Sequence, residues 1–160
     1  MKNLYVVSLE PYSGKTALCL ALAVNYRSKG LDVGYMKPLG TLPTTINGIT
    51  TDEYAVNVCW ALGCQEVLPI VVPVLLTPDV IRLPLKGPVP DLSRNVKDAL
   101  SQLSRGRDLM ILEGPANLTE GLSLHLSAKE IAEMADARVL LVTRSQSNLS
   151  LDNILAAEQL

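Results

Sequence analysis

The stretch Leu4-Tyr5-Val6-Val7-Ser8-Leu9-Glu10-Pro11-Tyr12-Ser13-Gly14-Lys15-Thr16 decides how the chain is read. An apolar, β-branched run ends in a short turn, the turn ends in Gly-Lys-Thr, and an apolar helical stretch, residues 17–26, follows at once. Strand, loop, Gly-Lys-Thr and helix are the context in which a phosphate-binding loop works. Backbone N–H groups of the loop and first helical turn converge on one spot, where the helix dipole favours negative charge. Glu10, Ser13, Gly14, Lys15, Thr16 and Ala17 are the expected nucleotide contacts. Lys15 brings a compact positive charge to the outer phosphates, and the Thr16 hydroxyl is the expected Mg²⁺ ligand. One letter departs from the usual G-x-x-x-x-G-K-T: the first glycine falls on Leu9. The competing reading is an ordinary strand-turn-helix with a surface lysine, and the flanking pattern favours phosphate.

The chain has 160 residues, 48% of them hydrophobic, which suits one domain with a real core. A net charge of −2 makes no electrostatic case for nucleic acid or an anionic membrane. The cysteines, Cys19, Cys59 and Cys64, show no metal-type spacing. Cys19 and Cys59 sit in apolar helical patterns and read as buried hydrophobes, so a reducing cytoplasm is the expected compartment. Residues 1–3 lead directly into a strand, leaving no room for a signal peptide or span.

Outward from the loop, a helix is expected over 15–28, stopped by Gly30, and apolar on nearly every side, hence buried all round. Residues 31–38 form the second strand. Residues 39–50, rich in Gly, Pro, Thr and Asn, read as a loop. Thr51-Asp52 opens a helix on Ala55, Val58, Cys59 and Leu62, and Gly63 closes it. Residues 67–90 carry six prolines and read as a surface-crossing arm with a helical turn near 77–81. An amphipathic helix over 91–104 uses Leu92, Val96, Ala99, Leu100 and Leu103. Residues 108–113 form a strand, Ser127 to Glu130 a capping box, 138–143 a strand, and 150–160 a last helix. Strands alternating with helices imply an α/β domain whose mostly parallel central sheet is wrapped by helices.

Four more features fall where strands end, the place at which a parallel sheet gathers its ligands. Lys37 ends the second strand and reads equally as a solvated lysine. Asp52 is a metal-ligand candidate or simply a helix cap, in which case Asn serves nearly as well. Glu113 ends an apolar strand, where a carboxylate is costly unless a metal or the loop lysine pairs it. Gly114 permits close backbone approach. Glu10 either helps hold magnesium or faces water. His125 has no nucleophile patterned with it, and Ser145-Gln146-Ser147-Asn148 has ordinary loop composition.

Gly14-Lys15-Thr16, Met36-Lys37-Pro38-Leu39-Gly40, Thr51-Asp52 and Leu112-Glu113-Gly114 follow one another at spacings similar to those of dethiobiotin synthetases. They look as much like the related N-terminal domains of phosphotransacetylase-like and cobyric-acid-synthase-like proteins, which the stretches Ser8 to Leu20 and Gly34 to Gly40 resemble more closely. The resemblance implies a three-layer P-loop NTPase fold whose sheet runs 33–37, 108–113, 4–9, 138–143. It also implies ATP and Mg²⁺, with Lys15 on phosphate, Thr16, Asp52 and Glu113 on magnesium, and Lys15 and Lys37 as the catalytic pair. The implied activity is an ATP-dependent ligase acting on a small carboxylate, carbamate, amide or diamine. The chain departs from the synthetases in its Leu9-Glu10-Pro11-Tyr12 loop and in Gly114-Pro115-Ala116-Asn117. Partition-type ATPases carry a second lysine where this chain has Glu10. These departures suit an alternative, a nucleotide-sensing module regulating a partner domain. A remnant that binds nothing would leave Glu113 without a reason. Such domains continue with further strands on the C-terminal side, so 139–142 is expected to be an open apolar edge covered by a second copy or a fused C-terminal domain.

Overall fold

The computed structural model describes residues 2–144 and 150–158. Its centre is a four-stranded parallel sheet of β1 (Lys2–Ser8), β2 (Val33–Met36), β7 (Leu109–Glu113) and β8 (Ala137–Val142), in the order β2-β7-β1-β8. That is the order expected from the family resemblance. Between β2 and β7 the chain forms β3 (Leu39–Gly40), β4 (Pro43–Ile46), β5 (Ile49–Asp52) and β6 (Val74–Leu75). The helices are α1 (Lys15–Ser28), α2 (Glu53–Leu62), α3 (Leu68–Val71), α4 (Pro78–Ile81), α5 (Leu83–Lys86), α6 (Ser93–Leu103), α7 (Ala128–Met134) and α8 (Ser150–Glu158).

Strand alternation divides the core into two halves. Val6, Val33, Tyr35 and Ile111 pack with Cys19 and Ala23 of α1 and Ala55, Val58, Cys59 and Leu62 of α2. Their neighbours Tyr5, Val7, Met36, Met110 and Leu112 pack the other way, with Val96, Ala99, Leu100 and Leu103 of α6 and Ala128 and Ile131 of α7. Helix layers on both faces are what buries a parallel sheet. The expected helical stripes of α2 and α6 are therefore the ones used, except Leu92, which is half-buried. Ser127 and Glu130 form the reciprocal capping box at the start of α7.

Three expectations are corrected. The α1 helix is covered on one side only: Lys15, Cys19 and Ala23 are buried, whereas Ala17, Ala21 and Val24 are exposed. Residues 39–50 are not a loop. The β4 and β5 strands pair as an antiparallel hairpin, turned by Asn47 and Gly48 at φ 52 and 79. A two-residue turn with both positions at positive φ matches the twist of the flanking strands, and Asn-Gly is its preferred sequence. Nor is the proline-rich segment a surface arm throughout. Val71, Val72 and Val74 are buried, β6 pairs with β3, and the Val71 carbonyl accepts from the Lys37 N–H at 2.9 Å. The helical turn expected near 77–81 is present as α4, with the Thr77 hydroxyl capping it.

The β8 strand lies at one end of the sheet, with Val139 54% exposed. Residues 145–148 lie outside the described residues, as do the last two residues expected in the final helix.

Candidate functional site

Three parallel strands end side by side, and each delivers one charged or hydroxyl group to the same edge. Ser8 closes β1, Lys37 follows β2, and Glu113 closes β7. The loop after β1 curls over them. Gly14 is the N-cap of α1 at φ 94, with nothing within 4 Å of the place its side chain would occupy. Only glycine adopts that conformation readily, and it leaves the first-turn N–H groups open to an anion.

Glu113 is 1% exposed and takes three donors. The Thr16 hydroxyl and the Lys37 ammonium donate to Oε1 at 2.7 and 3.1 Å, and the Tyr35 phenol donates to Oε2 at 2.8 Å. Among the protein's own cations the carboxylate is thus paired by Lys37, and not by the loop lysine as expected from its burial. Burial together with Glu113 keeps the Tyr35 phenol far above its ordinary pKa, so it remains a donor.

Asp52 lies on the other side of Lys37, 3.3 Å from Nζ, and is fully buried. It caps α2, accepting from the Ala55 N–H at Oδ1 (3.1 Å), while Oδ2 accepts from the N–H groups of Thr41 and Leu42 (2.8 and 3.0 Å). Lys37 is therefore clamped between two carboxylates, with the Tyr54 ring centroid 5.2 Å from its Nζ. Burial disfavours the ammonium, but Glu113 and Asp52 outweigh it and hold the Lys37 pKa above the ordinary lysine value.

Lys15 is placed differently. Its Nζ donates to the Ser8 hydroxyl at 2.6 Å, and Ser8 in turn donates to the carbonyls of Glu10 and Ala116. Among the described residues Lys15 makes no ion pair. Burial lowers its pKa, Lys37 adds to that, and Glu113 opposes it. A desolvated ammonium without a carboxylate against it is suited to receive phosphate oxygens.

Lys15, Lys37 and Glu113 border an open pocket of about 510 Å³, lined by residues 11–17 of the loop and by Thr41, Leu42, Tyr54 and Glu120 among others, whereas the fully buried Ser8 and Asp52 are not part of its lining. Ser13, Gly14, Lys15, Thr16 and Ala17 all line it. Glu10 does not: its carboxylate accepts from the Thr143 hydroxyl at 3.1 Å and the Arg144 N–H at 2.6 Å, tying the loop to the chain after β8. His125 is exposed and lies 3.4 Å from Glu130.

Ser8, Tyr35 and Glu120 are site residues that sequence reasoning missed. Tyr35 stands two residues before Lys37 on a strand, so period-two alternation places both side chains on one face. Glu120 accepts the Ala116 N–H at 2.8 Å and shapes the turn after β7, a role with no signal in the sequence.

The donor set fits a nucleotide with magnesium. Ser13 Oγ is buried in the loop without a hydrogen-bond partner, a polar atom awaiting one. A hydroxyl touching a carboxylate, Thr16 on Glu113, is an oxygen-rich corner of the kind Mg²⁺ uses together with phosphate oxygens.

A family model described as an AAA domain matches residues 2–160. The chain belongs to this AAA-domain family. It is accordingly an α/β, P-loop NTPase-type ATP-binding domain, in a family that includes dethiobiotin synthetase-like proteins and binds nucleotide, usually with Mg²⁺. Among solved structures, the signal recognition particle receptor FtsY from Elizabethkingia anophelis is similar at 20% identity and a TM-score of 0.48. The match covers 99% of this chain and 46% of that one, so the chain spans less than half of the receptor's length. Among the described residues, no helix of this AAA domain is long and apolar enough to cross a membrane.

Asp52→Asn in the AAA domain is not the silent change expected of a mere cap, because both oxygens accept from N–H donors and an amide NH₂ would face one set of them. If Asp52 and Glu113 serve magnesium, Asp52→Asn and Glu113→Gln shrink the gain in ATP affinity caused by Mg²⁺ by roughly tenfold or more. Affinity in chelator changes much less. Titrations with and without magnesium measure this, and an undiminished magnesium gain in both variants assigns the two residues to structure alone.

Proposed function

We propose that this AAA domain is an ATP- and Mg²⁺-dependent ligase of the dethiobiotin synthetase type, acting on a small carboxylate, carbamate or amide. The observation that carries the reading is Lys37, an ammonium 2% exposed in the pocket wall, held between Asp52 and Glu113. Burying three charges is expensive, and a simple core would use apolar side chains in their place. Phosphoryl transfer asks a protein mainly for positioning and for charge neutralisation where negative charge builds up.

Bound ATP with Mg²⁺ supplies the phosphoryl group. Lys15 and the N–H groups at the start of α1 hold the phosphates. Thr16, Asp52 and Glu113 are the residues that would hold the metal. Lys37 faces the same pocket and neutralises the acceptor oxygen as it takes up the phosphoryl group. The phosphorylated carboxylate or carbamate carbon is then open to attack by an amine, which expels phosphate. The Tyr54 ring, its centroid 5.2 Å from the Lys37 ammonium, adds a face that favours that positive charge.

A second reading, a nucleotide-sensing module for a partner domain, is favoured by the loop itself. Pro11 and Tyr12 stiffen it, and Tyr12 is held at φ 55 with its ring 82% exposed. Phosphate release with ATP, Mg²⁺, bicarbonate and short diamines separates the two. The ligase reading expects release that rises when an acceptor is present. Tight nucleotide binding with no acceptor-stimulated release would replace it by the sensing reading.

A further inference from the structure

At the end of the sheet opposite the nucleotide pocket, α2 stops in a motif that folds its last turn back on itself. The Cys64 N–H donates to the Cys59 carbonyl at 2.9 Å, and the Gly63 N–H donates to the Trp60 carbonyl at 3.3 Å, with Gly63 at φ 63. This pair of bonds is the Schellman arrangement, which brings the residue after the left-handed glycine against the residue at the far end of the longer bond. In helices that end this way the contact is frequently between two hydrophobes. Here both of the positions so joined are cysteines, and Cys64 packs against the core cluster to which Cys59 belongs.

The two sulfurs sit in different surroundings. Cys59 is 7% exposed and belongs to the core under α1 and α2. Cys64 is half-buried and lines an open pocket of about 500 Å³ together with Arg27, Glu66 and Arg107. Arg27 is fixed there by donating to the Leu62 and Val33 carbonyls at 2.6 and 2.8 Å. Arg107 is fixed by Asp32 and Glu66. The neighbouring Cys59 thiol holds the Cys64 pKa below the ordinary thiol value. Burial and Glu66 oppose that, and Arg27 and Arg107 reinforce it. Cys59 is pushed the other way, first by Cys64 and then by burial. Thiolate character and access decide which cysteine an oxidant meets first.

We propose that Cys64 and Cys59 form a peroxide-responsive dithiol, Cys64 attacking and Cys59 resolving, which closes a disulfide across the end of α2. The Cys64 thiolate attacks one peroxide oxygen, the O–O bond breaks, and hydroxide leaves with its electron pair, giving a sulfenic acid. The Cys59 sulfur then attacks the Cys64 sulfur as its thiol proton is lost, and the sulfenic hydroxyl departs as water. Overall, two thiols and one hydrogen peroxide give one disulfide and two waters. Because the Cys64–Cys59 backbone bond already folds the helix cap back on itself, bringing the two sulfurs together needs no rearrangement of the sheet.

The test uses the whole chain with equimolar hydrogen peroxide, intact mass and differential alkylation. The expected result is a product lighter by two hydrogens, with Cys59 and Cys64 protected from alkylation, Cys19 still reduced and reactive after unfolding, and full reversal by dithiothreitol. Cys64 should react at least roughly tenfold faster than cysteine in the urea-unfolded chain. In Cys59→Ser the reaction should stop at a Cys64 sulfenic acid that dimedone traps, and in Cys64→Ser the Cys59 thiol should stay reduced. The proposal is overturned if Cys64 in the wild-type chain reacts no faster than in the unfolded one. A bond between two copies of Cys64 as the sole product would also overturn it. The wild-type rate alone decides the matter should either variant fold poorly.

Discussion

Lys37→Met is expected to cost the AAA domain about 3–5 kcal/mol of stability. The reason is what the substitution leaves behind. Asp52 is fully buried and Glu113 is 1% exposed, and Lys37 is the cation common to both. Removing one partner of a buried pair is worse than never having built it, because the remaining charge has no water to turn to. Tyr35, Thr16 and the backbone N–H groups around Asp52 soften the loss without replacing a positive charge. Adding Glu113→Gln to Lys37→Met should therefore recover part of the deficit. Urea denaturation of the two single variants and the double one measures the coupling. A Lys37→Met deficit under ~1 kcal/mol would mean that the cluster is solvated and contributes like a surface pair. The pH dependence has a definite sign. The folded-state pKa of Lys37 is raised, so its contribution is complete below the ordinary lysine value and is lost as the pH rises past that value.

Lys15→Ala should show the opposite signature. ATP affinity should fall by an order of magnitude or more, ~1.4 kcal/mol for each factor of ten, while stability stays near the wild type. Lys15 is bonded to the Ser8 hydroxyl and pairs with no carboxylate among the described residues, so its removal strands no charge. Its cost of burial, visible in its lowered pKa, is a cost the phosphates of a ligand offset on binding. Calorimetric titration of folded Lys15→Ala reads the loss directly. Wild-type affinity in that variant would mean that the loop does not hold phosphate.

The two lysines look alike in sequence, and their difference in environment explains how far the sequence could be read. Gly14-Lys15-Thr16 is legible because a strand, a loop and a helix meet within one local stretch. Lys37, Asp52 and Glu113 are each legible as strand-end or cap residues. Their mutual contact is not, because it joins groups separated by as many as 76 positions, and only the sheet order brings them together. That order was implied by the family resemblance.

Local signals were also missed or overruled. Asn47-Gly48 is a hairpin signal in plain view, hidden by the Thr- and Pro-rich stretch around it. The prolines of residues 67–90 argue correctly against a central strand. They do not reveal that Val71 and Leu76 supply backbone partners for Lys37 and Gly40, which is what draws Val71, Val72 and Val74 inward. The α1 sequence is apolar on most sides, yet only the half centred on Cys19 and Ala23, flanked by the half-buried Leu18, Leu20, Leu22 and Tyr26, meets the core. Apolar pattern reports which residues tolerate burial, and the neighbouring elements decide which of them obtain it.

The central claim is that the edge formed by Ser8, Lys15, Thr16, Lys37, Asp52 and Glu113 holds a nucleotide together with magnesium. Calorimetric titration of the wild-type chain with ATP, run in Mg²⁺ and again in chelator, tests it most directly. The account predicts saturable binding at one site per chain, tightened by magnesium. No binding heat in either buffer, or an affinity indifferent to magnesium, would contradict it.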